Sequence, residues 1–189
     1  MPRIFTESER ENLKNELLLK GFDLLREKGY KGMTIDDLGV SKGLFYNIFP
    51  SKEEFTIQVL TKQNQIFYDI IAKHMTGQTG IFDSIMHIMT NKNHQLLFLR
   101  LAEQQELAKT LSPEKLSQFC QEQRNFYREI VILFGKDPEI CLPEVVGNLI
   151  TLLTTTINSI ESLPFLFKEK MNDTIFYQAH MLYHYIDTH

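Results

Sequence analysis

The most constraining feature of this sequence is a segment at positions 34–55, TIDDLGVSKGLFYNIFPSKEEF, in which signals for turns and helix ends follow one another closely. Gly39 tolerates a positive φ, and Ser41 can accept a hydrogen bond from a free N–H group in the first turn of a helix. Pro50 then disfavours continuation of that helix. The segment therefore predicts a turn followed by a short helix over positions 42–49.

A second helix is expected directly after this one, because Ser51 and Glu54 have the S-x-x-E spacing of a capping box. Within the short helix, Phe45 and Phe49 are four residues apart and lie on one face, where they can pack inward. Three polar side chains lie elsewhere on this helix: Lys42, Tyr46 and Asn47. Amine and amide groups can bind base edges, and a phenol can hold a phosphate, so the helix suits the major groove of DNA.

The unbroken run at positions 29–55, G-Y-K-G-M-T-I-D-D-L followed by G-V-S-K-G-L-F-Y-N-I-F-P-S-K-E-E-F, resembles the helix-turn-helix domain of the TetR (tetracycline-repressor-like) family of transcriptional regulators. The resemblance implies an all-α chain, with a three-helix DNA-binding domain over 1–50 and a helical effector-binding and dimerisation bundle over 51–189. It also implies a homodimeric, ligand-responsive repressor that binds a palindromic operator in double-stranded DNA.

The DNA-contacting residues expected from the motif are Thr34, Ser41, Lys42, Gly43, Leu44, Tyr46, Asn47 and Lys52. Lys42 and Asn47 are expected at base edges, whereas Tyr46 and Lys52 are expected to hold phosphates. By the family mechanism, a small-molecule effector in the C-terminal bundle tilts the long helix that begins at Ser51, and this changes the separation of the two recognition helices.

The sequence departs from the family pattern between Leu38 and Gly39, where family members usually have about four more residues, roughly one helical turn. Either the protein has lost these residues, or they exist and are missing from the sequence. The second explanation is favoured, and it predicts two Cα atoms much further apart than the about 3.8 Å of a trans peptide. A true deletion predicts a mobile 34–41 segment and a poorly supported recognition helix, because a one-turn helix is unstable alone.

Composition indicates a globular chain but does not identify its partners. The chain has 189 residues, of which 43% are hydrophobic and 23% charged, and its formal net charge is −4. Over positions 1–60, nine Lys and Arg residues are opposed by ten Asp and Glu residues, so DNA binding cannot depend on bulk charge. It depends on local charge, because positions 40–52 contain two lysines and no carboxylate.

Other classes of function have little support in the sequence. No apolar run is long enough to span a bilayer and the N-terminus is too charged for a secretion signal, so a cytoplasmic protein without a membrane partner is expected. Cys120 and Cys141 lack metal-binding spacing and are interpreted as buried, reduced thiols. His180 and His184 have metal-compatible spacing without an H-E-x-x-H pattern, so packing is preferred. No catalytic motif is present, and neither a metal, a cofactor nor an enzymatic activity is expected.

Hydrophobic periodicity and capping signals predict helices through the rest of the chain. The first begins with a capping box at Thr6 and ends before Gly29. Gly21, inside it, is expected to allow close approach of a neighbouring helix. The other helices are predicted at 51–75, 81–90, 93–110, 113–134, 143–161 and 169–187.

The predicted helix at 143–161 is apolar around most of its circumference, so it must be covered on most sides. We expect the last two helices to form half of a four-helix dimer interface, and a central core helix in a monomer is the alternative. The expected interface residues are Leu149, Leu153, Ile157, Met181 and His184.

Phenylalanine and methionine are frequent in the middle helices. Each is most simply a core residue, but together with four polar residues they suit an apolar effector pocket: Gln104, His87, Asn125 and Tyr127. The expected pocket residues are Phe67, Phe82, Met86, Met89, Phe98 and Phe126. The alternative function is a helical dimeric module that binds a ligand or a protein and has lost operator binding, and the shortened segment is its only support.

Overall fold

The computed structural model describes residues 6–75, 80–91 and 98–189. Over these ranges the chain is all-α, as predicted, with no β-strand and with short 3-10 helices at Asp36–Leu38 and Lys168–Lys170. The α-helices are α1 (Glu7–Gly32), α2 (Lys42–Ile48), α3 (Lys52–Met75), α4 (Ile81–Thr90), α5 (Leu101–Thr110), α6 (Pro113–Leu133), α7 (Pro143–Asn158) and α8 (Met171–Thr188).

The start of α1 is stabilised by the predicted capping box. The N–H group of Thr6 donates to Oε2 of Glu9 at 2.9 Å, and the N–H group of Glu9 donates to Oγ1 of Thr6 at 3.2 Å. Near the other end, Gly29 has a φ of 71° that interrupts the helical geometry before the final residues of α1. Gly29 thus has the positive φ expected of a residue that ends a helix, but the predicted end before Gly29 is wrong, because α1 continues to Gly32.

The other helix boundaries differ most from prediction where the sequence lacks a strong cap. Helices α3 and α4 lie within one residue of their predicted ranges. The helix predicted from position 93 begins in the structure at Leu101, since residues 98–100 are not helical and positions 92–97 lie outside the described ranges. Helix α7 ends at Asn158, three residues before its predicted end.

Helices α1 and α3 approach closely at Gly21. A Cβ atom at this position would lie 2.5 Å from Cζ of Phe55 and 2.8 Å from Cγ2 of Val59, distances that a side chain cannot adopt without displacing its neighbours. The expectation that Gly21 permits close approach of a neighbouring helix is confirmed.

The buried side chains form two clusters, and α3 contributes to both. Its first half supplies Phe55 and Val59 to a cluster with α1 and α2, and we call residues 6–51 together with this half of α3 the head. Its second half supplies Phe67 and Ile71 to a cluster with α4, α6, α7 and α8, which we call the bundle. One continuous helix thus joins the two cores. None of the described helices is both long and apolar enough to cross a membrane.

Candidate DNA-binding head and effector cavity

The inner face of α2 is held by aromatic packing. Phe45 and Phe49 are both completely buried, and their rings lie 5.3 and 4.8 Å from the ring of Phe55 at the start of α3. The hydroxyl of Ser41 accepts a hydrogen bond from the N–H group of Leu44 at 3.3 Å, which caps the helix as the sequence predicts. Helix α2 is therefore fixed in position by the head core.

The outer side of α2 is available to a partner. Most of the predicted DNA-contacting residues are exposed, with Leu44 half-buried; the exposed ones are Thr34, Ser41, Lys42, Gly43, Tyr46 and Asn47. Tyr46 is 53% exposed although its ring edge contacts the ring of Phe45. The structure thus combines a buried aromatic face with an exposed polar face on a helix of seven residues.

Lys52 is engaged differently from the sequence expectation. Its ammonium group donates hydrogen bonds to the carbonyl oxygens of Tyr30 and Met33, both at 2.6 Å, and lies 4.5 Å from the centre of the Tyr30 ring. Burial lowers the pKa of Lys52, opposed by the carboxylates of Glu106 and Asp37. The assignment of Lys52 to a phosphate is corrected, because this amine already ties the end of α1 to the start of α3.

The shortened segment forms a single hydrogen-bonded turn. The N–H group of Leu38 donates to the carbonyl of Ile35 at 3.1 Å, and that of Gly39 donates to the carbonyl of Asp36 at 3.0 Å. Gly39 has a φ of 80°, the left-handed conformation expected of a glycine that ends a turn. Leu38 and Gly39 therefore belong to one 3-10 turn, and the choice between lost and missing residues stays a prediction.

Two lysine side chains of α1 form hydrogen bonds with this turn. The Lys20 ammonium donates to the carbonyl of Leu38 at 3.1 Å, and the Lys28 ammonium pairs with Asp37. Asp37 also accepts hydrogen bonds from the N–H and hydroxyl groups of Thr34, at 2.8 and 2.7 Å. Together these donors hold the pKa of Asp37 well below its usual range, the Lys28 bond having the largest effect. The poor support expected for the recognition helix is not found.

Arg10 is a residue of the candidate DNA surface that the sequence interpretation missed. Its Nη2 atom donates to the carbonyl oxygen of Asn47 at 2.6 Å, near the C-terminal end of α2. The side chain is exposed and brings a permanent positive charge to the end of α2. No local sequence signal predicts this contact, because the two residues are 37 positions apart.

A cavity of about 610 Å³ lies between helices α3, α5, α6 and α7. Of the predicted effector-pocket residues, Phe67, Phe98 and Phe126 line it. Phe82 and Met86 pack elsewhere in the bundle, where the Phe82 ring lies 4.2 Å from that of His180. The side chain of Met89 lies outside the described residues. Half of the predicted set is therefore brought to one cavity. Phe82 and Met86 are corrected to partly buried residues that pack against the bundle core.

The polar lining of the cavity includes groups that the sequence did not single out. Asn64, Gln123, Asn148 and Thr151 line it in addition to the predicted Gln104 and Tyr127. The other two predicted polar residues, His87 and Asn125, do not line it. Arg124 and Glu144 lie at its exposed rim, where Nε of Arg124 donates to Oε1 of Glu144 at 2.6 Å. Gln63, on α3, is only 8% exposed, and its Oε1 atom is buried without a hydrogen-bond partner.

Helix α5 lies between the cavity and the head. One side of it lines the cavity with Gln104 and Leu107. On another side, the carboxylate of Glu106 accepts hydrogen bonds from the N–H groups of Tyr30 and Lys31, at 3.2 and 2.9 Å. A shift of α5 in response to a ligand would therefore act on the backbone at the end of α1.

The predicted dimer residues do not share one environment. Leu153 is 0% exposed and packs inside the bundle, so it is corrected to a core residue. Leu149 and Ile157 are partly buried against the same core. Met181 and His184 are exposed on α8, and they border a shallow groove that also includes Tyr177 and His180.

Histidine, acidic and cysteine side chains are not clustered in the described part of the chain. Across residues 6–75, 80–91 and 98–189, no three His, Cys, Asp or Glu side chains are grouped as a metal ion would require. Both cysteines are free thiols. Cys141 is buried, and burial raises its pKa, whereas Cys120 is exposed at the cavity wall, which corrects the expectation that both are buried.

Comparison with known proteins identifies the fold. The chain matches no protein-family model and no curated protein sequence. Among solved structures, it is similar to the reduced form of NemR from E. coli, with a TM-score of 0.54 and 16% sequence identity over 87% of this chain and 95% of that chain. The likeness to NemR covers the head and the bundle together, and it shows a shared all-α fold.

Proposed function

We propose that the protein is a homodimeric, ligand-responsive DNA-binding regulator of the TetR type that acts as a repressor. The observation that carries this proposal is the construction of α2. Its inner face is locked by two completely buried phenylalanines, and its outer face exposes Lys42, Tyr46 and Asn47. A short, rigidly held helix with an exposed polar face is what insertion into a major groove requires.

The contacts are divided between bases and phosphates. Lys42 and Asn47 approach base edges, where an amine and a carboxamide can discriminate between base pairs. Tyr46 and Arg10 hold phosphates, and Arg10 takes the place that the sequence had suggested for Lys52. In a two-fold dimer, the two heads would bind inverted half-sites about 34 Å apart, or a multiple of that distance.

The response to an effector would pass through α3 and α5. Both helices line the cavity, and both contact the head, α3 through Phe55 and α5 through Glu106. A ligand that binds one arrangement of these helices more tightly than another shifts the population of head positions. The distance between the two recognition helices in the dimer would change accordingly.

The dimer interface would use the outer face of α7 and α8. Leu152, Tyr177 and Met181 are large apolar or aromatic side chains that remain 47%, 69% and 50% exposed. Side chains of this kind are enriched in protein interfaces. This seam replaces the one through Leu153.

Gel-shift titration of genomic fragments at several salt concentrations tests the DNA-binding proposal. Arg10→Ala should weaken binding to all sequences and reduce the salt slope by about one unit. Lys42→Ala should instead relax discrimination at one base position, and Lys52→Ala should lower the stability of the head without changing the salt slope. Failure of the folded protein to retard any fragment would contradict the proposal.

The second candidate is a helical module that binds a ligand or a protein without binding an operator. The 3-10 turn at Asp36–Leu38, which stands where the family pattern has a longer helix, favours it. Under this alternative, no fragment is retarded, whereas ligand binding in the bundle persists. The same gel-shift experiment therefore separates the two functions.

A further inference from the structure

One wall of the cavity contains a polar group that the protein itself does not satisfy. Gln63 lies on α3, lines the cavity and is 8% exposed. Its Oε1 atom is buried and has no hydrogen-bond partner among the described residues. Buried polar groups are normally paired, and an unpaired one destabilises the folded state. The exception at Gln63 requires a reason.

Neighbouring polar groups of the cavity differ from Gln63 in this respect. Nε2 of Gln104 donates to the carbonyl of Leu99 at 2.8 Å, and a hydrogen bond with Thr151 opposes the rise that burial causes in the pKa of Tyr127. The polar side chains of Gln123 and Asn148 are more accessible to solvent. Among the described residues that line the cavity, Oε1 of Gln63 is therefore the buried side-chain atom without a hydrogen-bond partner.

The remainder of the lining limits what can occupy the cavity. Rings of Phe67, Phe98 and Phe126 form a contiguous aromatic wall, with ring centres 4.9 and 6.3 Å from that of Phe67. The two charged groups at the rim, Arg124 and Glu144, are paired with each other. A charged ligand would lie in the interior without a counter-ion, which is unfavourable.

We propose that the cavity binds an uncharged aromatic molecule with a hydroxyl group, and that this hydroxyl pairs with the carboxamide of Gln63. The proposal rests on the proposed effector function of the cavity and specifies its ligand class. A carboxamide has an acceptor oxygen and a donor NH₂ group, and rotation about its last bond exchanges their positions. A hydroxyl both donates and accepts, so it matches either orientation, whereas a purely apolar ring leaves Gln63 unpaired.

Binding of matched naphthalene derivatives to the full-length protein tests this proposal. The chain contains no tryptophan, so naphthyl fluorescence can be excited without interference from an indole. We expect 2-naphthol to bind the wild type about tenfold more tightly than naphthalene, the difference produced by one hydrogen bond. The methyl ether 2-methoxynaphthalene can accept but not donate, and it should have intermediate affinity.

The variant Gln63→Leu should abolish this preference. It should weaken 2-naphthol binding about tenfold and leave naphthalene binding unchanged or slightly tighter. Gln65→Leu is the matched control, since Gln65 lies on the same helix, is exposed and does not line the cavity. This control should retain the wild-type preference, and circular dichroism verifies that each variant is folded.

Two results would overturn the proposal. Equal affinities of the wild type for 2-naphthol and naphthalene would refute the hydrogen bond, and absence of saturable binding of either probe would refute the ligand class. Both comparisons use the wild type, so they remain decisive even if Gln63→Leu does not fold. The readout does not involve DNA, so a failed gel shift with the expected probe preference would reject only the regulator function.

Discussion

The head and the bundle are both helical, but their aromatic clusters are packed differently. In the head, the rings of Phe45, Phe49 and Phe55 fill the space between three helices, and all three are completely buried. In the bundle, the rings of Phe67 and Phe98 are in similar contact, yet they border a cavity of about 610 Å³. A filled core holds a surface in a fixed position, whereas a hollow one leaves room for a ligand.

Part of the bundle is closely packed, and Leu153 lies in that part. A charge introduced there should lower the stability more than any other change proposed here. Leu153→Glu would bury a carboxylate among apolar side chains, and we expect it to reduce the free energy of unfolding by at least about 5 kcal/mol. The measurement is urea denaturation followed by circular dichroism. Leu152→Glu is the matched control, because Leu152 is adjacent in sequence but 47% exposed.

Leu152→Glu also tests the proposed dimer. It should leave the stability of the protomer nearly unchanged and shift sedimentation from dimer to monomer, because the charge would enter the outer seam of α7 and α8. A folded dimer for Leu153→Glu would contradict the packing of the bundle core. An undisturbed dimer for Leu152→Glu would contradict the seam.

The difference in packing predicts a second, smaller contrast between the two regions. Phe45→Ala should cost about 3–5 kcal/mol of unfolding free energy, because neighbouring rings cannot collapse into the space. Phe67→Ala should fall near the lower limit of that range, because part of the Phe67 ring already borders the cavity. Equal losses in urea denaturation would show that the cavity does not relieve packing at Phe67.

The sequence predicted features that depend on neighbouring residues better than contacts between distant parts of the chain. In the head, the cap at Ser41 and the glycine at position 39 act within a few residues, so local patterns predicted them. The engagement of Lys52 by carbonyls of Tyr30 and Met33 depends on the path of α1, about twenty residues earlier in the chain. Local spacing contains no information about such a contact.

In the bundle, the sequence predicted apolar helices but not which side chains surround the cavity. Phe82 and Phe67 have the same side chain and similar helical surroundings in the sequence, yet only Phe67 faces the cavity. Close contacts such as the one at Gly147, where an added Cβ would lie 2.6 Å from Cδ2 of Tyr127, also join residues on different helices. Hydrophobic periodicity does not distinguish a filled interior from a hollow one.

The contact between the two regions at Glu106 predicts an effect on both stability and response. Glu106→Gln should lower the free energy of unfolding by about 1 kcal/mol, since a neutral amide is a weaker acceptor for the N–H groups of Tyr30 and Lys31. Under the proposed function, it should also reduce the change in DNA affinity that a ligand causes. Glu129→Gln, an exposed change on α6, is the control.

An unchanged response in Glu106→Gln would indicate that α3 alone transmits the effect of a ligand to the head. If the variant loses the ligand response but keeps the wild-type stability, Glu106 matters only in the arrangement that the helices adopt when a ligand is bound. Urea denaturation and ligand-dependent gel shifts on the same preparations separate these cases.

The smallest expected effect concerns the ionisation of Asp37 in the head. The bonds from Lys28 and Thr34 lower the pKa of Asp37 in the folded protein, so the resulting stability is fully present above the ordinary Asp pKa of about 3.9 and is lost as the pH falls below it. Asp37→Asn should therefore be less stable than the wild type near neutral pH, and the difference should shrink as the pH is lowered towards about 3. The effect should be modest, because the pair is solvent-accessible.

Urea midpoints measured at several pH values check this prediction for Asp37. Asp36→Asn is the control, because Asp36 is the exposed neighbour in the same turn. A difference between wild type and Asp37→Asn that does not vary with pH would mean that Asp37 acts through its shape and hydrogen bonds, and that its charge does not stabilise the turn that supports the recognition helix.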